Sequence, residues 1–209
     1  ADATSNGPVI NFLQLAHNKI MDKPEDYSEE TMTKIAKKYS KEADSINQSR
    51  TTNLTDNTVI MVLSETFSDP TRVPGVSFAE DPMPNIRQIK SETTSGLMLS
   101  PGYGGGTANI EYQALTGLSM ANYSDTLSIA YQQLVPGQKW DQSLNQLWNE
   151  KNGEDSSVAF HAYNRGMYFR DINYKKFGFS KFYATDGTPK LTDLHPIDSA
   201  WYSSDESFY

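Results

Sequence analysis

Three places in the chain carry side chains able to do chemistry. Glu65 stands just past the apolar run Val59-Ile60-Met61-Val62-Leu63, after Ser64. A carboxylate at the end of a rigid strand is a hard oxygen donor suited to a divalent cation, although a surface or capping contact accounts for a strand-end Glu equally well. Thr107 follows Gly104-Gly105-Gly106. Glycines let backbone N–H groups approach a ligand, and a helix starting there favours an anion. A threonine hydroxyl is a weak nucleophile until a base or metal activates it, so the plain alternative is a loop ending in a Thr cap. The run is neither a nucleotide-binding Gly-Lys-Ser/Thr loop nor a Gly-x-Ser-x-Gly elbow. The third place is His161, with Tyr168 and Arg170 close behind it. Between residues 158 and 183 there are five Lys or Arg against one acid, Asp171. Such a stretch reads as a positive pocket for a phosphate ester bearing a small polar group, or as a helix start with ordinary surface charges. His17 and His195 read as surface and loop residues.

These residues need elements to hold them. Thr58 to Leu63 is short, β-branched and apolar on both faces, which predicts a strand in a sheet interior with Glu65 at its carboxyl end. Thr94 to Leu99 is a second strand candidate, and Ser157 to Phe160 a third, ending at His161. Thr107 opens a predicted helix to about Leu115, which places its hydroxyl at the positive end. A short helix over Asn85–Lys90 follows Pro82-Met83-Pro84. Trp140 to Asn152 reads as amphipathic, with Leu144, Leu147 and Trp148 inward and Gly153 closing it. Ahead of these, Pro8 to Met21 and a segment capped by Ser28 read as helices, the second with Met32, Ile35, Ala36 and Tyr39 on one face. Residues 1–50 form an N-terminal helical segment, and 51–209 an alternating α/β unit whose sheet is largely parallel.

Composition narrows the function classes. The 209 residues include 37% hydrophobic and 11% aromatic side chains, enough for a core. The net charge of −8 sets aside a general nucleic-acid binder. With no Cys there is no disulfide, thiolate metal site or Cys nucleophile. No apolar run approaches the roughly 20 residues of a membrane helix. The first residues, Ala1 to Ser5, carry no signal-peptide pattern, and a start without Met reads as a trimmed or processed chain.

In order, the strand Val59–Leu63 with Ser64-Glu65-Thr66-Phe67, the block Gly105-Gly106-Thr107-Ala108-Asn109-Ile110-Glu111-Tyr112-Gln113-Ala114-Leu115-Thr116-Gly117, and His161 with Tyr168 and Arg170 resemble the lipoteichoic acid synthase family. These are phosphoglycerol transferases of the alkaline phosphatase and sulfatase superfamily, and the likeness runs on to Trp201–Phe208. The resemblance implies an α/β sandwich with a mainly parallel central sheet flanked by helices. It implies a Thr nucleophile on a divalent metal, manganese first and magnesium or zinc otherwise. Glu65 matches the family's first metal ligand, Thr107 its nucleophile and second ligand, and His161, Tyr168 and Arg170 its phosphoglycerol pocket, where Tyr168 replaces a frequent Trp. The implied substrates are the phosphatidylglycerol head group and a glycerophosphate polymer. The implied location is the extracellular face of the cell membrane of a Gram-positive bacterium, with a membrane anchor upstream of Ala1. The family completes its metal site with an Asp-His pair nearer the C-terminus, and no Asp-His dipeptide occurs here. The sandwich is therefore expected to be incomplete at its C-terminus, with weak metal binding and slow or absent turnover. Sulfatases of the superfamily carry Cys or Ser in a C/S-x-P-x-R motif; the expectation is that the chain lacks that motif, and sulfate-ester hydrolysis is therefore expected to be disfavoured. Competing expectations are a phosphoethanolamine transferase or phosphodiesterase of the same superfamily, and a non-catalytic module that binds anionic polymer through the 158–183 basic stretch.

Overall fold

Ser28 starts the first long helix. Its hydroxyl accepts the Thr31 N–H at 3.1 Å and so satisfies one of the free donors of α1, Glu29–Gln48. The computed structural model describes Gly7, Val9, Ile10 and residues 19–102, 106–197 and 202–208. The helix expected over Pro8 to Met21 lies mostly outside these residues, and Lys19 to Met21 are not helical. No residue of α1 is buried, and its apolar stripe of Met32, Ile35 and Tyr39 stays exposed.

Pro84 stands at the first position of α2, Pro84–Glu92, where its missing N–H costs nothing. Between α1 and α2 the chain makes two single-turn 3-10 helices, Leu54–Asp56 and Pro70–Arg72, and is otherwise irregular. The expected strand Val59–Leu63 is not one: the run joins no ladder, and all five residues are exposed, Ile60 to 85%. Thr94–Leu99 is likewise irregular, with Met98 93% exposed. The cause is the same in both. An apolar run states a need for burial, but a strand also needs partners for its N–H and C=O groups, and the described residues supply none.

The core lies further along. α3, Thr107–Thr116, runs from Gly106 to Gly117, both at positive φ, and buries Ala108 and Tyr112. α4, Ala130–Gln133, buries Ala130 and Tyr131. It is tied to α3 by Asn109, whose amide donates to Ser128 O (2.7 Å) and accepts from Ala130 N (3.0 Å). α5, Gln146–Asn152, ends at Gly153. β1, Val158–Phe160, α6, Arg170–Lys176, and β2, Lys181–Tyr183, form a β-α-β unit. β1 and β2 pair in parallel, Ala159 opposite Phe182, and His161 N extends the ladder to Tyr183 O (2.9 Å). α7, Asp205–Phe208, closes the described chain. Tyr112, Tyr131, Val135, Phe177 and Phe182 fill the space between α3, α4, α6 and β2. Tyr131 packs on Phe177 at 5.6 Å between ring centres, and Tyr174 meets Phe182 edge-on at 4.7 Å. The described sheet has two strands, and no described helix is long and apolar enough to cross a membrane.

Candidate active site

α3 sets the geometry from one end to the other. Gly106, at φ 108°, turns the chain into the helix, a conformation that a side chain would oppose. Thr107 is therefore the first helical residue. Its hydroxyl donates to Glu65 Oε2 at 2.6 Å, across 42 positions of sequence. Gly102 lies on the other side of the same carboxylate. A Cβ there would stand 3.1 Å from Glu65 Oε1 and 3.2 Å from Ile110 Cδ1, so the absence of a side chain is what gives Glu65 its room. Residues 103–105, including Gly104 and Gly105, lie outside the described residues.

One turn along α3 from Thr107 is Glu111, which holds Arg170. Arg170 Nε donates to both Glu111 oxygens (3.1 and 3.0 Å), and Nη2 donates to Oε1 at 2.5 Å. Tyr174 O–H, one turn beyond Arg170 on α6, adds a third donor to Glu111 at 3.0 Å. The Arg170 side chain is 2% exposed and that of Glu111 12%. Removing one partner from such a pair leaves a buried charge uncompensated, at a cost of about 3–5 kcal/mol.

The remaining guanidinium nitrogen, Nη1, lies 3.1 Å from His161 Nε2. Arginine can only donate, so His161 Nε2 accepts and the ring is neutral. Burial, and then the positive charge of Arg170, push the His161 pKa down to about 4. His161 is partly exposed at the carboxyl end of β1, where ligands bind in parallel sheets. Tyr168 lies against Arg170, the guanidinium carbon 5.3 Å from its ring centre. Tyr168 and Phe169 are consecutive left-handed residues, at φ 57° and 58°. Strain of this kind persists where neighbours enforce it. Here buried Asn173 does so, donating to Tyr168 O (3.1 Å) and Tyr131 O (2.8 Å).

The structure thus joins Glu65 to Thr107, and His161 to Tyr168 and Arg170. It does not make the basic stretch a pocket. Arg165 is spent on the carbonyls of Asp186, Phe182, Thr188 and Pro189, and Lys176 on those of Val135, Pro136 and Gln138. Lys175 and Lys181 are exposed on the surface. Arg170 is the basic residue of the stretch that reaches His161. His17 lies outside the described residues, and His195 joins the 195–207 turn through its backbone.

The sulfatase pattern does occur, at Ser68-Asp69-Pro70-Thr71-Arg72, which corrects the exclusion of that chemistry on motif grounds. Its role in the structure is to staple a turn. Asp69 accepts from Thr71 N (3.0 Å) and from both terminal nitrogens of Arg87 (2.9 and 3.2 Å). These bonds, those of Arg87 foremost, hold the Asp69 carboxyl well below the usual range. Ser68 is exposed, and the hydroxyl that reaches Glu65 is that of Thr107.

Glu65 and Thr107 suit a hard divalent ion in donor type and in spacing, but not in number. Such an ion takes about six oxygen ligands, and the described residues hold no group of three or more acidic or His side chains placed to bind one. The residues that composition did not flag are Glu111, Tyr174 and Asn173. The one signal available for Glu111 was its place four residues after Thr107, on the same helical face.

Comparison with known proteins identifies the family and the fold. The Sulfatase family model matches residues 57–209. A Rhizobium meliloti (strain 1021) protein named for cyclic beta-1,2-glucan modification is 38% identical over 134 residues, 64% of this chain and 19% of that protein. The structure of Streptococcus pyogenes phosphoglycerol transferase GacH, in complex with sn-glycerol-1-phosphate, superposes with a TM-score of 0.82 at 39% identity, covering 91% of this chain and 48% of the GacH chain in that structure. The chain therefore spans about half the length of that solved GacH chain and about a fifth of the Rhizobium protein. The helix-rich α/β architecture with its small parallel sheet is the sulfatase-like fold expected from the sequence. The chain belongs to the Sulfatase family, within the alkaline phosphatase and sulfatase superfamily.

Proposed function

We propose that the chain carries the nucleophile side of a metal-dependent phosphoglycerol transferase, with Thr107 as nucleophile. The observation that carries this is the 2.6 Å hydrogen bond from Thr107 Oγ1 to Glu65 at a helix start. It pairs a weak nucleophile with a carboxylate able to take its proton, at the helix end that favours developing negative charge. The likeness to GacH, solved with sn-glycerol-1-phosphate, supports a glycerophosphate group as the part transferred.

In the first step Thr107 Oγ1 forms a bond to the phosphorus of a phosphatidylglycerol head group. The bond from phosphorus to the diacylglycerol oxygen breaks with its electron pair, and the Thr107 proton passes by way of Glu65 to that oxygen. In the second step an acceptor hydroxyl attacks phosphorus, the bond to Thr107 breaks, and Thr107 regains a proton. Glu65 and Thr107 would be the residues to hold a divalent ion such as manganese, which would supply stabilisation of the negative charge developing on the Thr107 oxygen and the phosphate. His161 and Tyr168 contact the glycerol end, with Arg170 behind them. The setting we propose is an ectodomain on the outer face of the cell membrane, with a glycerophosphate polymer as acceptor. The name of the Rhizobium relative favours a second acceptor class, a saccharide hydroxyl.

The test is titration with sn-glycerol 1-phosphate in Mn²⁺, together with diacylglycerol release from phosphatidylglycerol vesicles. Wild type is expected to bind, and Thr107→Ala to bind but release nothing. Release from wild type is expected to be slow, in keeping with a two-ligand metal site, and measurable release that is equal in both would remove Thr107 from the chemistry.

A further inference from the structure

We propose that Glu111 is a positioning residue of the phosphate-ester site: by holding the Arg170 guanidinium along one edge, it fixes His161 with Nε2 as acceptor and Nδ1–H as the donor offered to the ligand. The inference rests on the reading of His161 as a ligand contact, but the proton placement follows from geometry alone.

Glu111 occupies Arg170 Nε and Nη2, and Tyr174 O–H fixes the carboxylate from behind. With these two nitrogens engaged, the guanidinium cannot rotate, and Nη1 stays on His161 Nε2 at 3.1 Å. Nη1 also donates to Met167 O at 3.3 Å, which holds the same orientation. A neutral imidazole whose Nε2 accepts must carry its proton on Nδ1. Nδ1 has no protein partner among the described residues, and His161 is partly exposed, so that N–H is available to a hydroxyl or phosphate oxygen. The α3 helix carries this arrangement to the nucleophile, since Glu111 is one turn from Thr107. A shift of Glu111 would therefore move the His161 donor relative to the attacking oxygen.

The test uses the full ¹⁵N-labelled chain. Long-range ¹H–¹⁵N spectra at neutral pH, with His161 assigned by His161→Asn, report which ring nitrogen is protonated. Wild type is expected to show the Nδ1–H tautomer, and Glu111→Gln a mixture. Titration with sn-glycerol 1-phosphate is expected to weaken by roughly 10–100-fold in Glu111→Gln, the usual loss for groups that orient a site from behind, and to recover in part in Glu111→Asp. Tyr174→Phe keeps the ion pair and should give a smaller change in the same direction, which keeps the test decisive if Glu111→Gln does not fold. A folded Glu111→Gln protein with the wild-type tautomer and affinity would overturn the proposal and leave Glu111 a stability residue. If wild type shows the Nδ1–H tautomer but does not bind sn-glycerol 1-phosphate, the phosphoglycerol reading fails while the role of Glu111 in fixing His161 stands.

Discussion

Thr107 and Glu111 stand one turn apart on α3, the first bonded to Glu65 and the second to Arg170. One short helix thus carries both the nucleophile and the anchor of the residues proposed to contact substrate. Its position is fixed by Ala108 and Tyr112, which are buried on the adjoining face.

The Thr107–Glu65 pair depends on space as well as on hydrogen bonding. Gly102→Ala would place a methyl group 3.1 Å from Glu65 Oε1 and 3.2 Å from Ile110 Cδ1. Overpacking of this kind costs about 1–3 kcal/mol. We predict a lowered denaturation midpoint and a weakened Mn²⁺ response, read by thermal melts with and without metal. A wild-type response to metal would mean that Glu65 does not need this room.

His161 gives a pH signature. In the fold it stays neutral down to about pH 4, whereas in the unfolded chain it takes up a proton near 6.5. Between these values the unfolded state binds the extra proton. The contribution of His161 to stability is therefore complete above about pH 6.5 and is lost as the pH falls towards 4. Denaturant melts of wild type and His161→Gln across this window should converge as the pH drops. A constant gap would show that His161 is not held neutral.

Asn173 is the clamp on the left-handed pair Tyr168 and Phe169. Asn173→Ala removes two donors from buried carbonyl partners, and unmet groups of this kind cost about 1–3 kcal/mol each. We predict a destabilised chain and, in its folded fraction, a loss of sn-glycerol 1-phosphate affinity measurable by titration. Full affinity would mean that Tyr168 keeps its conformation without the clamp.

Metal binding should be weak. Glu65 and Thr107 offer two ligands where about six are wanted, so calorimetry should give a low Mn²⁺ affinity that Glu65→Gln lowers further. Tight binding that survives Glu65→Gln would place the ion elsewhere.

How much of this the sequence disclosed depended on range. Thr107 at a helix start follows from local rules, because Gly106 and the apolar spacing of α3 are both visible in the chain. The partner of Glu111 is 59 positions away, and spacing carries no trace of it. The amphipathic pattern over Trp140–Asn152 overstates the helix for a related reason. Ser143 Oγ bonds to Phe177 O (2.6 Å) and Leu144 N to Leu115 O (2.7 Å), so tertiary partners hold that stretch out of the helix and only α5 forms. Leu144 stays exposed as a result, and Leu147, though within α5, is exposed as well. Val59–Leu63 was misplaced because pattern reports the need for a neighbour but does not supply one.

As proposed nucleophile, Thr107 should form the covalent link to the transferred group. Incubation of the chain with Mn²⁺ and phosphatidylglycerol, followed by peptide mass mapping, tests it directly. The expected result is a slowly accumulating glycerophosphoryl addition on the peptide carrying Thr107, absent in Thr107→Ala and reduced in Glu65→Gln. No addition in wild type at saturating Mn²⁺ and long incubation, or an addition that persists in Thr107→Ala, would contradict it.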